Sequence, residues 1–499
     1  MRRLFFFIFI IFICHISTVW ATNWYVDKDA SGSNNGASWT NAWVSFSAIN
    51  WNSVKPRDTI YISGGTTSKI YYEQLHINAS GSDGSPITIK VGEESEHDGT
   101  VIITNRNGHG VYIGRDYITI NGNVDNEQRI RITGSSGGGV FGSSSHHIIL
   151  TYLEIDNNGD TGEGHESGIE LNWFDGSGFQ AEISYCKIYD NSQDQIKLSG
   201  GTGPQGYGRF QIHHNEIFKL HDDGIESDSY GVDFYENVIH TVEVEYATSG
   251  AHIDGAAMNA GYHRVYNNVF YNLRGGNACI YPNLFKGTSD GHIRIYNNLV
   301  YNDLPLGELY PMKGLEFAPQ MSMNYVSDVI IANNIFSGMP RIGASLWFTD
   351  NMVDFYFVNN IIHNCDRLKD NVAFVTGDGT YTDGSWGDGA DVTIDYNIMH
   401  AGPEGRNPMA ISYRENWGYY DDFIEQSDCQ EHINGNVDPL LDANYKPQVG
   451  SLAIGNGVDM SAYFTTDMDG NTRSGSWDIG AFEGYDVPAP SPPKGLRIE

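Results

Sequence analysis

The chain has 499 residues, with 62 acidic against 29 basic side chains and a formal net charge of −33. A surface this acidic repels nucleic acids and anionic membranes, so neither is expected as a partner. An anionic partner would need bound cations between it and the protein.

Residues 1–21 begin with MRR, continue with an apolar run and end at Ala21. This pattern predicts a cleaved secretory signal, and no later segment is apolar over the length needed to cross a bilayer. We therefore expect a secreted or cell-surface protein that is not inserted in the membrane after cleavage. We also expect a monomer.

The mature chain keeps four cysteines: Cys186, Cys279, Cys365 and Cys429. They are scattered and lack C-x-x-C spacing, so they predict neither a zinc site nor a disulfide scaffold. Their spacing leaves open that two of them form a single disulfide.

Residues 22–57 are predicted to form an N-terminal cap. The segment AWVSFSAINW (42–51) spaces Trp43, Phe46 and Ile49 three apart, which predicts a short helix with one apolar face. Strands are predicted to follow at DTIYIS (58–63), ITIKV (87–91), TVIIT (100–104), GVYIG (110–114) and RIRIT (129–133).

One motif recurs about ten times between Tyr117 and Gly402: a short alternating strand, an asparagine in most copies, two apolar residues and a polar turn. Clear copies are RFQIHHNEIF (209–218), YHRVYNNVFY (262–271) and DFYFVNNIIH (354–363). The spacing between copies is irregular and no helical stretch of ten residues separates them, which excludes alternating strands and helices. The pattern predicts a parallel β-solenoid of about ten or more coils over 58–402.

The copies align on one turn position. Its column reads Leu153, Cys186, Asn215, Asn237, Asn268, Asn298, Asn334, Asn360 and Asn397. Asparagine tolerates the left-handed region, and its amide can bond to the asparagine one coil away, about 4.8 Å distant. The column therefore predicts a structural ladder, replaced by apolar stacking at Cys186 and Leu153.

A second set of segments carries the charged residues: HESGIEL (165–171), SQDQIKL (192–198), HDDGIES (221–227), HIDGAAM (252–258) and MKGLEF (312–317). We interpret them as the second strand of successive coils, aligned on Ile169, Ile196, Ile225 and Ala256. Two places earlier, an outward column would hold Ser167, Asp194, Asp223 and Asp254, with Asp222 beside it; Lys197 would lie in the same patch. Stacked carboxylates repel one another, and Ca²⁺ is the cation that suits them. The alternative is that they are solvated turn residues.

The opening YVDKDASGSNNGASWTNAWVSFSAIN and the segments SLAIGNGVD (451–459) and DMDGNTRSGSWDIGAFEG (467–484) resemble secreted right-handed parallel β-helix proteins of the pectate-lyase-like superfamily. The resemblance implies an all-β, right-handed parallel β-helix, closed by residues 403–484. A Pro-rich tail, 485–499, follows.

DQIKLSGG (194–201) and HDDGIES (221–227) are similar to segments of calcium-dependent polysaccharide lyases. In those proteins the acidic segment precedes the lysine, and here the order is reversed. The resemblance implies Ca²⁺ at Asp194, Asp222, Asp223 and Asp254, and Lys197 as the base that removes a proton next to a uronate carboxylate. His252, His221 and Arg274 are the alternative bases, and the expected substrate contacts are Trp173, Tyr207, Tyr230 and Glu226.

Two other functions stay open. A glycoside hydrolase would use two carboxylates of the same group, drawn from Asp222, Asp223, Asp254 and Glu226. A non-catalytic surface or adhesion protein is the third reading. The expected partner of either enzyme is a polysaccharide.

Overall fold

The computed structural model describes residues 21–159, 166–173, 178–200, 206–242, 252–284, 291–319, 326–348, 352–369, 374–378, 392–404, 410–413, 416–419, 432 and 437–484. Residues 1–20 of the predicted signal sequence, Cys429 and the tail 485–499 lie outside these ranges. Within them, no helix is long and apolar enough to span a membrane.

Three long sheets make up the molecule, with 13, 12 and 13 strands. The strands of the first sheet are Asn23–Val26, Thr59–Ile62, Ile87–Val91, Ile118–Asn121, Ile148–Thr151, Ala181–Ser184, Phe210–His213, Val232–Tyr235, Arg264–Tyr266, Ile293–Tyr296, Val326–Ala332, Met352–Val358 and Val392–Asp395. Those of the second are Ser68–Tyr71, Thr100–Ile103, Ile130–Thr133, Leu153–Asp156, Lys187–Tyr189, Glu216–Leu220, Val238–Val242, Val269–Tyr271, Leu299–Tyr301, Ile335–Ser337, Ile361–His363 and Ile398–His400.

The strands of the third sheet are Leu75–Ile77, Val111–Ile113, Val140–Ser143, Ile169–Trp173, Ile196–Gly200, Ile225–Ser227, Ala256–Met258, Ala278–Pro282, Lys313–Phe317, Ala344–Phe348, Phe374–Asp378, Ala410–Tyr413 and Asn416–Tyr419. All pairings in the three sheets are parallel except the last one of the third sheet. A separate antiparallel hairpin joins Asn123–Val124 and Glu127–Gln128. This is the predicted right-handed parallel β-helix, with more than ten coils.

The core fills the space between the sheets. Strand Ile87–Val91 shows the pattern: Ile87, Ile89 and Val91 are buried and the residues between them are partly exposed. Side chains alternate across a strand, so every coil sends one set of aliphatic residues inward, where they stack on the same position of the next coil. The period-two pattern of the sequence thus sets both the sheet and the core.

The asparagine ladder is confirmed. From Asn215 to Asn397, each side-chain Nδ2 donates to the Oδ1 of the asparagine one coil further, at 2.9–3.1 Å. All are buried. Each Oδ1 also accepts the backbone N–H of the preceding member, as Asn268 Oδ1 does from Asn237. The amides therefore satisfy one another inside the protein.

Two details of that prediction are wrong. The left-handed residue is the one before the ladder position, for example His214, Glu236, Asn267 and Asn297, with φ between 54° and 55°. The ladder also does not change to apolar stacking at Cys186. The Cys186 N–H donates to Asn215 Oδ1 at 2.9 Å, and its sulfur accepts the N–H of Leu153 at 3.4 Å. Cys186, Cys279 and Cys365 are buried free thiols.

At the N-terminus, the strand Asn23–Val26 already pairs with Thr59–Ile62, so the first coil begins inside the segment expected to be a cap. The helix predicted over 42–51 is wrong: only the 3₁₀ turn Phe46–Ala48 forms there. The apolar spacing still serves burial, because Trp43, Phe46 and Ile49 are all buried. A second 3₁₀ turn is Leu306–Glu308.

Residues 437–484 lie along the side of the solenoid, over the turns between the first and second sheets. The outward asparagines of those turns hold this segment: Asn297, Asn333 and Asn359 donate to the carbonyls of Thr466, Asp478 and Val458, each at 2.8 Å. Ile479, Ala481 and Phe482 pack on Ile335 and Ile361 of the second sheet.

Candidate functional site

The charged segments recur in the third sheet. Ile169, Ile196, Ile225 and Ala256 pair in register, as the alignment predicts. Their strands are the third of each coil, whereas the sequence interpretation made them the second. The two apolar residues that follow each ladder asparagine are the reason, since they form a strand of their own in the second sheet.

Asp194, Asp223 and Asp254 stand in the turn that leads into this sheet. They do not face outward as predicted: their relative exposure is 3%, 7% and 0%. Asp194 Oδ1 accepts the N–H of Asp223 at 3.3 Å, Asp223 Oδ1 that of Asp254 at 2.6 Å, and Asp254 Oδ1 that of Ala278 at 2.8 Å. These contacts are inconsistent with solvated turn residues. We call these three residues the Asp column.

Asp222 joins two members of this column. One oxygen from each of Asp194, Asp222 and Asp223 lies within 4.8 Å of the others. We call these three the acidic cluster. Carboxylate oxygens are the donors that Ca²⁺ prefers, and three carboxylates can supply three to six of its usual six to eight ligands. The donor set fits a calcium ion.

The electrostatics of the cluster point the same way. Burial raises the pKa of Asp194, Asp222 and Asp223, and neighbouring carboxylates raise it further. For Asp194 these neighbours are Glu226 and Asp222, opposed by Lys197. Buried like charges of this kind are stabilised by protons or by a cation.

Asp254, the fourth predicted metal ligand, stands apart from the cluster. Its Oδ2 lies 3.1 Å from Nδ1 of His252, whose side chain is 63% exposed. The contact with Asp254 raises the pKa of His252, and burial raises that of Asp254.

Lys197 is the cation beside the acidic cluster. Its Nζ lies 3.2 Å from Asp194 Oδ2 and also contacts Glu226 Oε2. Burial lowers the pKa of Lys197, but the two carboxylates together raise it above its usual value. Without a metal this lysine is a charged partner in an ion pair.

The other two predicted bases have partners elsewhere. His221 Nε2 lies 2.9 Å from Asp190 Oδ1, in the turn after the second sheet. Arg274 Nη2 lies 3.1 Å from Glu308, in the segment that contains the second 3₁₀ turn.

Of the predicted substrate contacts, only Glu226 is placed at the acidic cluster. Trp173 ends the strand one coil earlier, in register with Gly200, and its side chain lies outside the described part of the structure. Tyr207 packs on the guanidinium groups of Arg264 and Arg294, on the first sheet. Tyr230 is 6% exposed and its carbonyl accepts from Arg209, so its ring is largely covered.

The structure adds two neighbouring residues that the sequence interpretation missed, the partly exposed Tyr281 and the buried Asn259. The coil Ala278–Pro282 lies between Ala256–Met258 and Lys313–Phe317, and it places Tyr281 in register with Ala257. Tyr281 also contacts the His252 ring, with centroids 5.5 Å apart. Asn259 donates to Asp228 at 3.1 Å, beside Glu226. The short apolar sequence ACIYP (278–282) could have indicated this strand. The alignment followed segments with acidic residues, and this strand has none.

No family model matches the chain, and neither does any curated protein. Among solved structures, pectate lyase Pel9A is similar at 17% identity and a TM-score of 0.45, over 93% of this chain and 96% of that one. The PL6 family polysaccharide lyase Pedsa3628 from Pseudopedobacter saltans is similar at 12% identity and a TM-score of 0.47, over 88% of this chain and 98% of that one.

The GH136 lacto-N-biosidase from Eubacterium ramulus gives 13% identity and a TM-score of 0.48, over 75% of this chain and 67% of that one. The three parallel sheets give the chain a parallel β-helix fold. The similarities are too low to carry a conclusion about activity, because one fold supports many reactions.

Proposed function

We propose that the chain is an extracellular carbohydrate-active enzyme that cleaves a uronic-acid-containing polysaccharide by β-elimination, assisted by Ca²⁺. The observation that carries the proposal is the acidic cluster: three carboxylates within 4.8 Å, next to Lys197, at the turn that leads into the third sheet. The extracellular location rests on the predicted signal sequence.

In this proposal Asp194, Asp222 and Asp223 hold the cation. Bound Ca²⁺ would supply the positive charge that lets an acidic protein accept an acidic sugar, and would make the proton next to the uronate carboxylate more acidic. The chain itself carries a net charge of −33, so it needs such a counter-charge at the site.

Lys197 is the proposed base. It takes the proton from the carbon next to the carboxylate, the glycosidic C–O bond at the following carbon breaks, and a carbon–carbon double bond forms. The departing oxygen takes a proton from water, and the lysine releases the proton it has gained to the solvent. The amine must first be neutral. Asp194 and Glu226 oppose this, and ligation of Asp194 to a cation leaves only Glu226 to favour the ammonium form.

A glycoside hydrolase is the second candidate, and one observation favours it. The raised pKa values of Asp222 and Asp223 favour a protonated carboxyl group, which is what the general acid of a hydrolase requires. Neutral sugars would suit such a site without a metal.

A single assay separates the two. The mature protein is incubated with a panel of uronate-containing and neutral polysaccharides, with calcium or with a chelator, and both unsaturated product and new reducing ends are measured. The lyase proposal expects ultraviolet absorbance from unsaturated uronate, lost with chelator and restored by Ca²⁺. New reducing ends without that absorbance would replace it with the hydrolase.

A further inference from the structure

A second group of metal-binding side chains lies far along the chain from the acidic cluster. His363 and His400 end two neighbouring strands of the second sheet and are directly in register. Their rings are stacked, with centroids 5.4 Å apart and planes 12° from parallel. Asp438 reaches them from the segment 437–484 that runs along the solenoid. One nitrogen or oxygen of each residue lies within 4.8 Å of the other two.

The surroundings suit metal binding. Ser337 Oγ lies 3.2 Å from His363 Nδ1, which fixes that ring and leaves Nε2 for another partner. His400 Nδ1 is buried and makes no hydrogen bond within the described part of the chain.

Asp438 contributes the third donor from an exposed position. Its Oδ1 accepts the N–H of Leu440 at 2.8 Å, and its other oxygen is not engaged in that turn. The carboxylate therefore belongs to an ordered turn rather than to a free side chain.

We propose that His363, His400 and Asp438 form a binding site for Zn²⁺ that links the segment 437–484 to the second sheet. Two imidazole nitrogens and one carboxylate oxygen are a donor set that zinc accepts, and a fourth position remains for water. Metal–ligand distances of about 2.0–2.2 Å require the three side chains to close by roughly an ångström. The site is independent of the proposed sugar chemistry.

The same column of the second sheet supplies a matched control. It runs through His240, Tyr271, Tyr301, Ser337, His363 and His400. His240 is stacked in the same way, between Phe218 and Tyr271, but has no histidine on a neighbouring coil. Loss of His240 should leave zinc binding unchanged.

The test uses the full mature chain stripped of metal, then dialysed against ZnCl₂ in excess CaCl₂ so that calcium occupies the acidic cluster. Bound zinc is counted by elemental analysis for the unchanged protein and for His400→Ala, Asp438→Asn and His240→Ala. We expect His400→Ala and Asp438→Asn each to bind one equivalent less, and His240→Ala to match the unchanged protein. Asp438→Asn keeps the acceptor for Leu440, so its folding should be intact, which circular dichroism checks.

Cobalt gives a second readout. Co²⁺ should produce the visible absorption of a four-coordinate site in the unchanged protein and in His240→Ala, and lose it in Asp438→Asn. Equal zinc content in all four proteins would overturn the proposal, because the metal would then sit elsewhere, for instance at His146 and His147, whose Nδ1 atoms lie 2.8 Å apart.

Discussion

The carboxylate of Asp223 accepts the backbone N–H of Asp254 at 2.6 Å, one coil further along the solenoid. Asp194 and Asp254 make the same contact with their own neighbours. The Asp column resembles the asparagine ladder but differs in two ways. Each aspartate oxygen accepts from the following coil, whereas each ladder oxygen accepts from the preceding one, and a carboxylate has no N–H to give to the next oxygen. One oxygen of each aspartate fixes the turn, and the negative charge accumulates.

This dual role gives a prediction for Asp223. Asp223→Asn keeps an Oδ1 for the Asp254 N–H but removes the charge, so folding should survive while calcium affinity and turnover are lost. Asp223→Ala removes the acceptor too and should destabilise the protein by about 1–3 kcal/mol. Calorimetric calcium titration and urea unfolding of both variants measure the two effects separately. Unchanged calcium affinity in Asp223→Asn would place the cation away from the acidic cluster.

Lys197 provides the second prediction. Lys197→Ala should abolish formation of unsaturated product and retain calcium binding, because the amine is the proposed base and not a ligand. Its removal also leaves Asp194 and Glu226 without their cation, so the calcium-free variant should melt at a lower temperature and calcium should restore it. Lys197→Arg should retain at most a little activity.

Lys187→Ala is the control for that experiment. Lys187 is an exposed lysine of the second sheet, 4.0 Å from Glu216. Its loss should leave product formation, calcium binding and the melting temperature unchanged. Full activity of Lys197→Ala would move the base to His252, which already contacts Asp254, or to His221 or Arg274.

The fold could be predicted because every coil repeats the same local physics. Alternation around Ile225 and the asparagine at each turn recur often enough to align the coils without a structure. Burial of the Asp column could not be read this way, since Asp194 precedes its strand and strand alternation does not extend into a turn. The prediction of a helix around Trp43 was wrong for a related reason, because apolar residues three apart also occur in an irregular segment that packs on the end of a solenoid.

The proximity of some candidate residues was predicted. Asp194, Asp222, Asp223, Lys197 and Glu226 do come together, because their positions follow from the coil alignment. Tyr207 does not join them, since it follows a glycine-rich loop whose course no repeat determines. The lateral packing of 437–484 was also beyond the sequence, because it depends on outward asparagines that look the same as the ladder residues beside them.

The ladder itself gives a stability prediction. Asn237 is fully buried and is bonded to both Asn215 and Asn268. Asn237→Ala should lower the free energy of unfolding by about 1–3 kcal/mol, because it leaves buried amide groups unpaired on two coils. Activity per folded molecule should be unchanged. Asn52→Ala, at an exposed position outside the left-handed region, is the control and should cost far less. Loss of turnover with unchanged unfolding would show that Asn237 is catalytic.

His263 gives a prediction for the pH dependence of stability. The ring is fully buried, its Nδ1 accepts the N–H of Val232 at 3.2 Å, and Nε2 has no hydrogen-bond partner within the described residues. Burial lowers the pKa of His263 to about 3. In the unfolded chain His263 binds a proton below its usual pKa of about 6.5, whereas in the folded protein it stays neutral until about pH 3. The folded state is therefore fully stable with respect to this residue above pH 6.5, and loses stability as the pH falls towards 3.

The variant His263→Gln keeps an acceptor for Val232 and removes the titration. Between pH 7 and about pH 4.5, the unchanged protein should lose more unfolding free energy than the variant, by an amount on the order of 2 kcal/mol. Urea unfolding at both pH values, with chelator present so that calcium release does not contribute, measures the difference. An equal loss in both proteins would assign the acid sensitivity to other groups. Asp328 is the first to test, because its contacts with Arg294 lower its pKa.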